Sequence, residues 1–296
     1  MGEIIKRVSA GKGGEALLIK GAEKSCLYDS GMAYCGDEMA ENVRRELKGG
    51  RLDFIILSHT HYDHIGGVPY IRRIWPEVKV LGSVFGQPIL EKPKALATIR
   101  SLAETAARKY AKNPQKPLDY DDRQLAMDIG LTDGSVISLG DMHIKAYATK
   151  GHTPCSMSYF IEEEKILLAS ESTGLYLGEG KYSSSILTGY GDAMESIEKC
   201  RNLGARSIYA PHYLEVEKEE MPMFWDRLKA TAEESKDFIL ECLNRGYTQD
   251  EVVEICTDRY WRGFISEEQP REAYWINQKA KVKVIAREFM HEINME

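Results

Sequence analysis

No run in the 296-residue chain approaches the length of a membrane span. The opening Met1-Gly2-Glu3 lacks the basic-then-apolar order of a secretory leader, so a cytoplasmic location is the expectation. The six cysteines (Cys26, Cys35, Cys155, Cys200, Cys242, Cys256) include no CxxC pair, which argues against a thiolate zinc site and a disulfide scaffold. They read as small core residues, with Cys155 the one placed to line a pocket. Net positive charge is also missing: the formal balance is −7, which disfavours nucleic acid as a partner. The basic stretches Lys92-Pro93-Lys94 and Lys279 to Lys283 read as solvated helix faces. There is no internal repeat or low-complexity segment, no glycine-rich phosphate loop before a helix, and no Ser-His-Asp or Cys-His arrangement.

What is present suits a soluble α/β protein: 43% hydrophobic residues and 29% charged. Glu15–Lys20 and Ser25–Tyr28 have the pattern of paired strands, with Asp29-Ser30-Gly31 as a turn. Asp37–Leu47 has helical spacing and stops at Gly49-Gly50. Phe54-Ile-Ile-Leu57 is an apolar run expected of a strand buried on both faces, and Val78–Leu81 is another short strand. Lys94–Lys112 is expected to be helical and Asn113–Arg123 a loop. Strands resume at Val136–Leu139, His143–Tyr147, Ser156–Ile161 and Ile166–Ala169. A helix over Ala193–Leu203 and a strand over Ser207–Ala210 follow. Beyond Tyr213 the pattern is helical throughout, from Phe224 to Leu243 with a stop at Gly246. Thr248-Gln-Asp-Glu251 and Ser266-Glu-Glu-Gln269 fit helix-opening capping boxes. The expected organisation is a strand-rich body over 1–213 and an all-helical extension over 214–296.

Five of the seven histidines sit where strands end. Ser58-His59-Thr60-His61-Tyr62-Asp63-His64 follows the buried strand directly. Alternation along an extended segment places His59 and His61 on one side, where both reach one cation. Asp63 and His64 come after the chain has begun to turn and point to a neighbouring position, with Gly66-Gly67 supplying the tight backbone. Imidazole nitrogen and carboxylate oxygen bind zinc or iron at about 2.0–2.2 Å. Gly151-His152-Thr153 and Pro211-His212 repeat the same context of apolar strand, turn residue and histidine. His143, inside a strand, and His291, in the last helix, do not share it.

Taken in order, these motifs resemble those of the metallo-β-lactamase superfamily over about residues 15 to 213, and Asp29-Ser30-Gly31 resembles an early turn of that fold. The resemblance implies an αββα sandwich with two metals at one edge. His59, His61 and His152 would hold one metal. Asp63, His64 and His212 would hold the other, with an acid after the Ile166–Ala169 strand bridging the two. Where the family usually has Gly-Asp, this chain reads Ser170-Glu171, so Glu171 is expected to bridge with one extra methylene. Asp63 would also orient the nucleophile.

Thr60-His61-Tyr62-Asp63-His64 and Gly151-His152-Thr153 resemble the hydroxyacylglutathione hydrolases. Val68-Pro69-Tyr70, the Asp192-Ala-Met194-Glu195-Ser196 helix and the C-terminal helices resemble a thioesterase-like group that responds to a quinolone signal. The implied activity is hydrolysis of a small thioester or ester by a metal-bridged hydroxide, with zinc, iron or manganese as the two divalent ions. Three alternatives stay open. They are a metal-bearing regulatory protein with incidental hydrolysis, a lactonase or phosphodiesterase of the same superfamily, and an oxygen-reducing di-iron protein. The last would be expected to carry an extra Glu in the first motif, where position 61 is His. The expected partner is a small-molecule substrate, without nucleic acid or membrane and with room for a homodimer. The helical extension, with Phe224, Trp225, Tyr260, Trp261 and Tyr274, is expected to cap the site.

Overall fold

Short apolar strands alternate with amphipathic helices along the chain. The computed structural model describes residues 4–212 and 214–293, so Tyr213, on which the expected body-to-extension boundary falls, lies outside the described residues. Two units are distinguished: residues 1–148 with 157–165, and residues 149–156 with 166–296.

In the first unit the elements run β1 (Ile5–Arg7), β2 (Leu17–Lys20), β3 (Ser25–Tyr28), α1 (Gly36–Glu46), β4 (Phe54–Ile56), α2 (Tyr62–Ile65) and α3 (Val68–Ile74). They continue through β5 (Lys79–Ser83), α4 (Pro93–Tyr110), β6 (Ile129–Leu131), β7 (Val136–Ser138), β8 (His143–Ala148) and β9 (Met157–Ile161). One sheet runs in the order β1-β2-β3-β4-β5-β6. Its first three strands are antiparallel and β3 to β6 are parallel. That is why Phe54-Ile-Ile reads as unbroken apolar sequence: β4 sits mid-sheet with Ile55 and Ile56 fully buried. β7, β8 and β9 form an antiparallel set. α1 turns Met39, Ala40 and Val43 inward at helical spacing, and α4 does the same with Ile99, Ala103 and Ala106.

In the second unit β10 (Ile166–Leu168) pairs in parallel with β13 (Ser207–Ala210), and β14 (Leu214–Glu215) adds antiparallel to β13. β11 (Leu175–Tyr176) and β12 (Tyr182–Ser183) form a small hairpin. The helices are α5 (Tyr190–Arg201), α6 (Phe224–Asn244), α7 (Gln249–Tyr260), α8 (Phe264–Glu268) and α9 (Arg271–Ile293). Ile239, Cys242, Val252, Val253, Cys256, Val282 and Ile285 form their shared core. Among the described residues, no helix is long and apolar enough to cross a membrane.

Two expectations need correction. Thr248 does open α7 with a reciprocal capping box to Glu251, but Ser266 does not open a helix. Ser266 lies inside α8, where its hydroxyl donates to Gly263 O (2.8 Å), and α9 begins after Pro270, whose ring is suited to a first turn. The Lys279 to Lys283 run is not wholly a solvated face, because Lys281 is only 5% exposed. The tight backbone at Gly66 and Gly67 is a matter of room. Both have ordinary right-handed φ (−61° and −82°). A Cβ on Gly67 would stand 2.1 Å from Ser30 O and 2.4 Å from Met39 Cε. Gly67→Ala should therefore destabilise the protein by about 3 kcal/mol, the usual scale of overpacking against backbone. A chemical denaturation midpoint equal to wild type would show that this contact yields freely.

Candidate metal centre

β3 and β4 lie side by side and in parallel, so their C-terminal ends emerge together. Asp29 leaves β3 with φ +52°, and its N–H donates to Ile56 O (2.9 Å). Its buried carboxylate then accepts from Ser58 N, Ser58 Oγ and His64 Nδ1, each at 2.7 Å. Because the carboxylate can only accept, His64 carries its proton on Nδ1, and Nε2 is left as the donor toward a cation. The Tyr28 phenol behind this carboxylate is pushed well above its ordinary range, by burial first and then by Asp29 and Glu15.

The segment that follows gathers the first four sequence-predicted ligands. The His59 ring lies 4.5 Å from that of His61 and 4.1 Å from that of His64, centroid to centroid. His59 Nδ1 is 3.0 Å from Ser58 Oγ, and Asp63 Oδ2 is 3.7 Å from His64 Nε2. His59, Asp63 and His64 are buried, and His61 is half-buried. His61 is extended (φ −73°, ψ 152°) and α2 starts at Tyr62. The change from extended chain to helix is what aims Asp63 and His64 differently from His59 and His61.

The second unit gathers the other three. His152 follows Gly151, whose φ of +128° and contact with Ala193 (a Cβ would lie 2.7 Å away) admit no side chain. His152 N–H donates to Ser172 Oγ (3.0 Å) and Nδ1–H to the Ser185 carbonyl (2.9 Å), which again leaves Nε2 as the metal-facing nitrogen. Glu171 opens a short turn after β10 and is 6% exposed. Its Oε1 lies 3.0 Å from His212 Nε2, and its Oε2 lies 2.9 Å from Ser185 Oγ and 3.6 Å from His152 Nε2. The carboxylate thus stands between two imidazoles. His212, at the end of β13, has φ +67°.

In the sequence, the hydroxyls of Ser170, Ser172 and Thr173 are the nearest ones available to the Glu171 carboxylate. Instead, Ser172 holds His152 N, Thr173 Oγ1 donates to Ser170 O (2.9 Å), and Ser170 Oγ meets Thr149 Oγ1 (2.8 Å). The hydroxyl on the carboxylate belongs to Ser185, which sits in no motif. Asp29 was legible only as a turn residue, although an acid at a strand end beside a histidine cluster is a signal for an orienting carboxylate. His143 pairs with Glu163 (2.6 Å) at the surface, as a structural residue would, and the His291 side chain lies outside the described residues. All six cysteines are buried thiols, without disulfides.

The chain matches the Metallo-beta-lactamase superfamily over residues 11–212, and it belongs to that family. Among relatives, an atrochrysone carboxyl ACP thioesterase from Aspergillus fumigatus is 26% identical over 66% of this chain and 49% of its own length. Glyoxylase B2 from Dictyostelium discoideum is 25% identical over 52% of this chain and 50% of its own. Flavo-diiron protein FprA2 from Clostridium acetobutylicum is 26% identical over 63% and 40%. The chain spans half or less of the length of these curated relatives. A solved metallo-β-lactamase family structure from Thermus thermophilus superposes with TM-score 0.60 at 20% identity. It covers 91% of this chain and 88% of that one, a likeness of fold. The mixed α/β architecture with a C-terminal helical region is the one expected for the family.

The donors fit the divalent metals that the family implies. Imidazole and carboxylate without thiolate suit zinc or iron, and two imidazoles have their Nδ1 tied back to the protein. Asp29→Asn should lower metal affinity by about 10- to 100-fold, since it removes the charge that fixes the His64 tautomer. Zinc competition against a chelator measures this. Affinity equal to wild type would remove Asp29 from the centre.

Proposed function

We propose that this chain is a dinuclear metal-dependent hydrolase acting on a small thioester or ester. The observation that carries the reading is the grouping of donors. In the first unit the His59 ring lies 4.5 and 4.1 Å from those of His61 and His64, with Asp63 Oδ2 3.7 Å from His64 Nε2, and in the second Glu171 lies 3.0 Å from His212 Nε2 and 3.6 Å from His152 Nε2. Divalent metals bound by such sets acidify water to near neutral pKa and polarise an acyl oxygen. The chain's own residues do the rest. Asp29 and the Ser185 carbonyl fix imidazole tautomers, Glu171 supplies negative charge between His152 and His212, and Asp63 orients the nucleophile as it ligates. Helices over 214–296 would cap the substrate side, which would set the size of the acyl group admitted.

The thioesterase and glyoxylase names of two relatives support the acyl-transfer reading, and the flavo-diiron relative supports iron as an occupant. The test is a panel of thioester, lactone and phosphodiester substrates with protein loaded with zinc or iron, and oxygen consumption measured alongside. Metal-dependent thioester or ester turnover that is lost on chelation is expected. Turnover confined to phosphodiesters or to oxygen would overturn the proposal.

A further inference from the structure

The basic run near the C-terminus holds one lysine that does not behave as a surface residue. On α9, Lys279 reaches Asp250 and remains exposed, and Lys283 is exposed as well. Lys281 between them is buried against the second unit's own core. Its ammonium donates to Ser184 O at 2.6 Å and to Ser184 Oγ at 3.0 Å. Burial draws the ammonium down to about 8, and the Cys256 thiol on α7 acts in the opposite direction. A buried charge held by two local acceptors costs stability compared with an apolar side chain of similar volume. Such a residue calls for a role besides packing.

The role follows from what Ser184 is joined to. Its carbonyl belongs to the peptide plane leading into Ser185. Ser185 O accepts from His152 Nδ1 and Ser185 Oγ donates to Glu171 Oε2, both at 2.9 Å. The next residues clamp the other side of the same loop, with Leu187 N and Thr188 N donating to Gly151 O at 3.0 and 2.9 Å. We propose that Lys281 is a positioning residue of the metal centre. From the last helix it locks the peptide plane before Ser185, and through Ser185 it sets the orientation of both His152 and Glu171. The inference rests on the dinuclear reading for its consequence and on this hydrogen-bond chain for its geometry.

Lys281→Met keeps an unbranched side chain, one atom shorter, and removes the ammonium, and Lys279→Met and Lys283→Met serve as controls. Two readouts separate the inference from the reading beneath it. In metal-free protein, hydrogen exchange of residues 184–189 should rise at least tenfold in Lys281→Met, with the thermal midpoint equal to or above wild type. On zinc titration, affinity should fall at least tenfold in the same variant and stay within twofold in the controls. Wild type that binds no zinc defeats the dinuclear reading, and the exchange result then decides the positioning role alone. Unchanged exchange in Lys281→Met would overturn the inference. So would a zinc-affinity loss matched by the controls, or one that only follows a fall in thermal midpoint. If the Met variant fails to fold, Lys281→Gln, which keeps an uncharged NH2 donor group, is measured by the same criteria and should fall between wild type and the tenfold change.

Discussion

His59→Ala is expected to lose one metal equivalent and to lower hydrolysis at least about a thousandfold. Water has a pKa of about 15.7, and a divalent cation brings it to about 7. Among the described side chains of the centre, Asp63 and Glu171 are bases but neither can produce hydroxide at neutral pH. Activity must therefore track occupancy. His59 is 1% exposed and packs against the rings of His61 and His64, so alanine also leaves a hole. Circular dichroism must show that the variant folds before the rate is read. Full activity in the metal-free protein, or in a folded His59→Ala variant, would end the metal mechanism.

The second large effect belongs to Glu171. Its carboxylate lies 3.0 Å from His212 Nε2 and 2.9 Å from Ser185 Oγ, and in the proposed dinuclear centre its charge would offset repulsion between two cations. Glu171→Gln keeps the shape and loses the charge. It should weaken the second equivalent by about 100-fold or more, the scale of a lost anionic contact in a buried site, while His59, His61 and His152 retain the first. Glu171→Asp keeps the charge and withdraws it by one methylene. It should bind the second metal more tightly than the Gln variant. Equal stoichiometry and affinity in wild type, Gln and Asp proteins would show that Glu171 is not a ligand.

Much of the candidate centre was legible because it obeys local rules. Strand alternation placed His59 with His61, and the break into α2 separated Asp63 and His64 from them. Strand-then-histidine context singled out His152 and His212. The helices were legible from spacing, and Thr248 from its capping box. What was hidden depends on contacts between residues far apart in sequence. β1 and β6 are three residues long, and two of the three residues of β6 are glycine and an exposed isoleucine, so periodicity had nothing to grip. Gly67 reads as part of a tight turn, but the sequence does not name Ser30 O as the atom against it. Lys281 reads as one more surface lysine, because nothing in Lys279–Lys283 announces Ser184, which lies 97 residues earlier.

His212 sets the fold against its own endurance. Its φ of +67° belongs to a region that glycine and asparagine enter easily and that costs other residues about 1 kcal/mol. The backbone at this strand end favours a residue without an imidazole, and the position keeps one. Selection for thermal resilience alone would drift at 212 toward glycine or asparagine and arrive at a hardier protein with one donor fewer. Any stabilised version of this chain must therefore be chosen under a demand for metal as well as heat.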